Sequence, residues 1–289
     1  MLYSFASAFF LLVLTYFVDS SPFPIGGEAS IGQWVDRIEY IITRNSDNVP
    51  DSVCLINVAY DKVLVEYEAK LYRDDEDSPT LPVGQIDVTD RDKLLRFLEI
   101  ADSVDSYRYI MLDVRFDDDV ETDSITMKLF SQIKKMDRIV YAIHQDSEPN
   151  TDAPIEKAAF GDYHTTFLAS DVVKYPVCKT NQDGIFISSM PARMYEELNN
   201  REIMAYGWFT FDNGHLCVRS IYPSYPVRFY NWGKIQDYNQ ETILQYFNLG
   251  EDFLNSTAPH DLIENSIENR IVIIGDFVED IHDTFYGQL

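Results

Sequence analysis

The chain has 289 residues, 46% of them hydrophobic and 25% charged, with 48 acidic side chains against 23 basic ones and a formal net charge of −25. That is enough apolar material for a sizeable core, which excludes wholesale disorder, and the negative field disfavours nucleic acid as a partner. Three cysteines, Cys54, Cys178 and Cys217, include no C-x-x-C pair, which excludes the usual zinc and thioredoxin-type arrangements; whether Cys178 and Cys217 pair stays open.

Residues 1–18, MLYSFASAFFLLVLTYFV, carry no charged side chain. The run falls close to the length that crosses a bilayer, so it reads as a membrane-targeting segment. No Lys or Arg precedes Arg37 and no Ala-x-Ala cleavage site follows. A retained anchor therefore fits better than a cleaved signal peptide, with a buried core helix as the remaining alternative. The lipid bilayer is then a partner through residues 1–18. Residues 19–29, with the Pro/Gly break SPFPIGG, form a linker, and residues 30–289 form one body on one side of the membrane.

Within that body, Ile31, Trp34, Val35, Ile38, Ile41 and Ile42 recur at spacings of three and four, which predicts an amphipathic helix. DSVCLINVAYD, residues 51–61, is a strand-length apolar run with Cys54 as a small core residue. The acidic stretch from Arg73 to Thr80, continued by Leu81 and Pro82, reads as a loop. Thr89 is a plausible helix N-cap with Asp92 three residues on, and Leu94, Leu95, Phe97, Leu98 and Ile100 supply the core face. YRYIMLDVRF reads as a buried strand. DDDVETDSITMKLFSQIKKM is a loop followed by a helix, and RIVYAIH, residues 138–144, is a further strand. Strand, helix and strand at this spacing mean βαβ units and a mainly parallel sheet.

The middle of the chain changes character. Short aromatic runs flank Asp212-Asn213-Gly214, a strong hairpin signal, so an antiparallel insertion is expected between about 183 and 232. QETILQYFNL suggests a helix, and RIVIIG returns to a buried parallel strand. The fold class expected is therefore α/β: a mainly parallel sheet flanked by helices, with an antiparallel strand insertion, preceded by an N-terminal membrane helix.

Motifs of chemistry are sparse. G-x-G-x-x-G, the P-loop, G-x-S-x-G and H-E-x-x-H do not occur in the sequence, and the five histidines are scattered. Asp117, Asp119, Glu121 and Asp123 alternate like the start of a calcium loop, but Thr122 and Lys128 stand where an EF-hand needs Gly and Glu. No metal and no cofactor are expected. Asp113 ends a parallel strand, where α/β ligands bind, or else it caps the next helix or anchors a loop. His282-Asp283, beyond the last strand, reads as a loop anchor in preference to an acid/base pair.

In order along the chain, several segments resemble the extracytoplasmic CHASE domain of the second type, a sensory module associated with cyclases and histidine kinases. DSVCLINVAYD resembles its first strand and VTDRDKLLRFLEIA the helix before its central strand. YIMLDVRFDDDVETDSITMKLF looks like its "lDvlF … D … la" element, placing Asp113, Phe116 and Asp123 on recurring positions. RIVYAIH matches the next strand. TNQDGIFISSMP, with Asp183 and Gly184, resembles its "D-x-D-G" turn, although the arginine that should follow is absent until Arg193. VRFYNWG resembles a short "inyrG" segment. NRIVIIGDFVEDIHDTFYG resembles its closing "kiVlIG … D … TP" signature through Gly275 and Asp283, with Phe285 in place of proline.

The resemblance covers most of residues 50–287. It implies a non-catalytic sensory or ligand-binding domain of a membrane-anchored signalling protein, in the bacterial inner membrane with its bulk periplasmic. The signal would be an unknown small molecule or protein, a homodimer is left open, and the family's output region would continue beyond Leu289. Asp113, Phe116, Asp123, Asp183, Gly184, Gly275 and Asp283 are the candidate ligand-binding or structural positions. Two other readings remain: an envelope assembly scaffold using the Tyr-rich segment IYPSYPVRFYNW, and an extracytoplasmic hydrolase using Asp113 with Asp283 or His282.

Overall fold

The computed structural model describes residues 6–11, 13, 14, 53–70, 80–114, 116, 123–143, 151–161, 178–180, 186–206, 209–217 and 245–277. They belong to two compact units. The first draws on residues 49–161 and 243–284, and the second on the rest.

In chain order the first unit begins with β1 (Val53–Asn57), β2 (Lys62–Lys70), β3 (Thr80–Thr89), α1 (Arg91–Val104), β4 (Tyr109–Leu112), α2 (Ser124–Lys135), β5 (Ile139–Ile143) and β6 (Ala158–Phe160). The second unit contributes β7 (Cys178–Thr180), β8 (Phe186–Ser188), α3 (Met190–Asn199), β9 (Ile203–Tyr206), β10 (Phe209–Asp212) and β11 (His215–Cys217). The chain then returns to the first unit through β12 (Gln245–Asn248), a π-helical stretch (Leu249–Leu254), α4 (Pro259–Ile267) and β13 (Ile271–Gly275).

The first unit is the expected α/β core. Its sheet has six strands in the order β12-β1-β13-β4-β5-β6, with every neighbouring pair parallel. The steps β1 to β4, β4 to β5 and β12 to β13 all advance the same way across the sheet. Right-handed crossovers then deliver their helices to one face. The core agrees with this. Cys54, Ile56, Ile110, Leu112, Ile139, Tyr141, Val272 and Ile274 form one apolar cluster with buried residues of α1, α2, α4 and the π-helical stretch. The alternate strand positions Leu55, Tyr109, Met111, Val140 and Ala142 are buried too. Burial on both faces is why these strands read as unbroken apolar runs. Inside the core, burial pushes the Cys54 thiol up to about 12, so it stays protonated and packs as a small hydrophobe.

Helix α1 buries Leu94, Leu95, Phe97 and Leu98 of the predicted stripe, with Ala101 in addition, while Ile100 is only partly buried at its margin. Its cap differs from expectation. Asp90, not Thr89, is the N-cap, accepting hydrogen bonds from the amides of Asp92 at 3.1 Å and Lys93 at 3.2 Å. Thr89 closes β3 opposite Lys62, and a residue held in a strand ladder cannot also turn into the helix. Residues 80–82 are likewise strand rather than loop, because β2 and β3 form a long antiparallel ribbon. Pro82 sits opposite Glu68 at a register shift, a place where a missing amide is tolerated. The helix expected over QETILQYFNL is corrected at Gln245–Asn248, which is β12, hydrogen-bonded along the edge of β1. A short apolar run satisfies either period, and the open edge of β1 decided between them.

The second unit contains further antiparallel pairs, in the region where an antiparallel insertion is expected. Its three-stranded sheet has the order β11-β10-β9, and β7 pairs separately with β8. At the expected hairpin, Asn213 and Gly214 have φ of 49° and 79°, the left-handed pair that a two-residue turn with matching twist requires. Helix α3, which the sequence reading did not anticipate, is joined to β9 by Glu196, whose Oε1 accepts from the Ile203 amide at 2.8 Å. The side chains of Cys178 and Cys217 lie outside what the structure describes.

Residues 6–11, 13 and 14 are helical, with Phe9, Phe10, Leu11 and Leu14 exposed. Among the described residues no helix is long and apolar enough to cross a membrane. The rest of residues 1–18, the linker 19–29 and the helix expected over 31–42 fall outside the described residues.

Candidate functional site: the carboxyl edge of the parallel sheet

Parallel strands end together, and here the ends of β12, β1, β13 and β4 make one edge. Asn57, the last residue of β1, organises it. A polar side chain with no exposure needs partners, and Asn57 has three. Its Nδ2 donates to Asn248 Oδ1 at 2.9 Å, and its Oδ1 accepts from the amides of Ala59 and Phe277, both at 3.1 Å. The turn after β1, the end of β12 and the chain leaving β13 are thus tied to one side chain. Backbone bonds extend the edge: Val58 donates to the Gly275 carbonyl at 3.0 Å and Asp113 to that of Ile274 at 2.7 Å.

Asp61 is the second anchor. Its carboxylate is 4% exposed as a residue and is engaged on both oxygens. Oδ1 meets Lys93 Nζ at 2.6 Å, and Oδ2 accepts from the Gly250 amide at 2.9 Å. The hydrogen bond to Asp61 is the main cause that raises the Lys93 ammonium above its ordinary value. Both oxygens of that carboxylate are therefore committed to holding Lys93 and Gly250. Gly250 is required there, because a β-carbon would collide with Asp61.

The positions named from the sequence divide into three groups. Asp113 and Gly275 come together. β4 lies beside β13, Asp113 is exposed just past β4, and a β-carbon added at Gly275 would sit 3.5 Å from Asp113 Cβ. That is ordinary contact, so the edge would accommodate a small side chain at Gly275. Phe116 and Asp123 are engaged structurally. Phe116 is buried, stacking edge-on against Phe130 at 5.4 Å and Tyr141 at 5.7 Å. Asp123 is the N-cap of α2, its Oδ1 accepting from the Thr126 amide at 2.7 Å. Asp183, Gly184, His282 and Asp283 lie outside the described residues, as do Asp117, Asp119 and Glu121. Among the described residues no group of three or more His, Cys, Asp or Glu is placed to hold a metal ion.

Asn57, Asp61, Lys93, Asn248 and Gly250 were not singled out by the sequence reading. One signal was present. Asn57 interrupts an otherwise apolar strand, and a polar residue there must find a buried partner.

Hydrogen bonds from Thr126 hold the Asp123 carboxyl below its usual range. A depressed carboxylate stabilises the fold above its unfolded pKa and loses that contribution as pH falls through its folded value. Asp123→Ala is expected to cost about 1 kcal/mol at neutral pH, typical of an N-cap. In acid the parent and variant should converge. Urea unfolding at pH 7 and at pH 3 checks this, and a difference that does not shrink at pH 3 would contradict the capping role.

No family model, curated protein or solved structure matches the chain.

Proposed function

We propose that this chain is a non-catalytic sensory or ligand-binding module of a membrane-anchored signalling protein, of the CHASE type. Residues 1–18 hold it at the bacterial inner membrane and the bulk lies in the periplasm. The observation that carries the reading is the strand order. Inserting β13 between β1 and β4 makes Asp113 and Gly275 neighbours at the carboxyl edge, where ligands of parallel α/β sheets bind. These are two separate motifs of the ordered resemblance. The exposed apolar residues Phe9, Phe10, Leu11 and Leu14 favour an N-terminal segment that sits in lipid.

The test has two arms. Fractionation should find the full chain in membranes and a chain lacking residues 1–18 released from them. The released chain is then screened by thermal unfolding against amino acids, carboxylic acids, sugars and divalent cations. A ligand at a hundredfold excess over its Kd should add about 2.7 kcal/mol to stability. Asp113→Asn should abolish that gain while leaving the unliganded Tm in place. Turnover of any of these compounds, or a stabilisation indifferent to Asp113, would sink the reading.

A further inference from the structure

The β2–β3 ribbon leaves the sheet directly after the Asn57 cluster and returns directly into α1. Its root is fixed. The Asp90 amide donates to the Asp61 carbonyl at 2.8 Å, and the buried Asp61 carboxylate binds Lys93 and Gly250. The chain leaving β13 is fixed as well, through the Phe277 amide on Asn57. Between these two held segments lies a contact of a different kind. Lys62, the first residue of the ribbon, places Nζ 3.3 Å from Oδ2 of Asp276, the first residue past β13. The same ammonium lies 3.4 Å from Oγ1 of Thr89, the last residue of the ribbon. The pair is partly open to solvent, with side-chain exposures of 29% and 36%. Such a pair contributes little and breaks readily.

We propose that Lys62–Asp276 is a latch coupling the carboxyl edge of the sheet to the ribbon, so that a change beside Gly275 and Asp113 is transmitted to β2 and β3. As the regulation of the edge described above, the latch rests on the sensory reading, but its test uses no ligand. Asp276 adjoins Gly275, so a group arriving at Asp113 meets the same short segment that the latch holds. Asn57 and Asp61 hold the flanks by hydrogen bonds, so the response is expected in the ribbon.

Hydrogen exchange of the full chain in detergent, read on peptides covering 62–70 and 80–89, tests the latch. Lys62→Ala and Asp276→Ala should each speed ribbon exchange by about two- to fivefold, the factor a partly exposed ion pair supplies. The double variant should do no more than Lys62→Ala alone, which already removes both the ion pair and the contact with Thr89. The exchanged pair, Lys62→Asp with Asp276→Lys, should restore protection. Peptides from β4 and β5 serve as controls. If the single variants loosen those too, the exchanged pair decides: restoration upholds the latch and its failure overturns it. Ribbon exchange unchanged in both single variants also overturns it. A latch that fails leaves ligand binding at Asp113 untouched, and a failed ligand screen leaves the exchange result standing.

Discussion

Phe116→Ala is expected to destabilise the first unit by about 3–5 kcal/mol, the cost of emptying a large buried aromatic site. The ring is 4% exposed and lies edge-on to both Phe130 and Tyr141, so its removal leaves a cavity between α2 and β5 and forfeits two favourable aromatic contacts. The measurement is the guanidinium unfolding midpoint. The result separates two roles for a position that the ordered resemblance marks as recurring. A core residue loses stability whether or not ligand is present. A ligand-contacting residue would keep its midpoint and lose only ligand-induced stabilisation, and that outcome would overturn the packing role assigned to Phe116.

Gly250→Ala should cost about 2–4 kcal/mol, combining the strain of overpacking with the loss of a buried hydrogen bond. The added β-carbon occupies space held by the Asp61 carboxylate. That carboxylate cannot simply swing away, because the Gly250 amide and Lys93 both depend on it. Gly275→Ala provides the contrast. Its β-carbon meets Phe277 Cζ at 3.4 Å and Asp113 Cβ at 3.5 Å, ordinary contacts, so a change within about 1 kcal/mol is expected. Urea unfolding of both variants side by side checks the pair. Equal tolerance at the two glycines would contradict the role given to Asp61 as the anchor of the ribbon root.

Local patterns carried much of the secondary structure. The stripe Leu94, Leu95, Phe97 and Leu98 marked α1, and Asp212-Asn213-Gly214 marked the hairpin of the second unit. Thr89 misled by one residue because its cross-strand partner Lys62 lies 27 positions away, beyond any local window. Gln245–Asn248 misled for the same reason: β12 is a strand because β1 offers it an edge, and nothing within the segment says so. The site was legible in part. Asp113 and Gly275 could be named from their strand ends, whereas Asp61, Lys93 and Gly250 are bland in sequence and become a unit only when distant segments meet.

Periodicity and charge specify an α/β chain with buried parallel strands, an antiparallel portion and an excess of acidic side chains, because both are local and additive. The tertiary structure alone decided that β13 inserts between β1 and β4, that Asn57 ties three strand ends, and that Asp113 meets Gly275. Those outcomes depend on hydrogen bonds and close packing between residues far apart in the chain, which local preference does not specify.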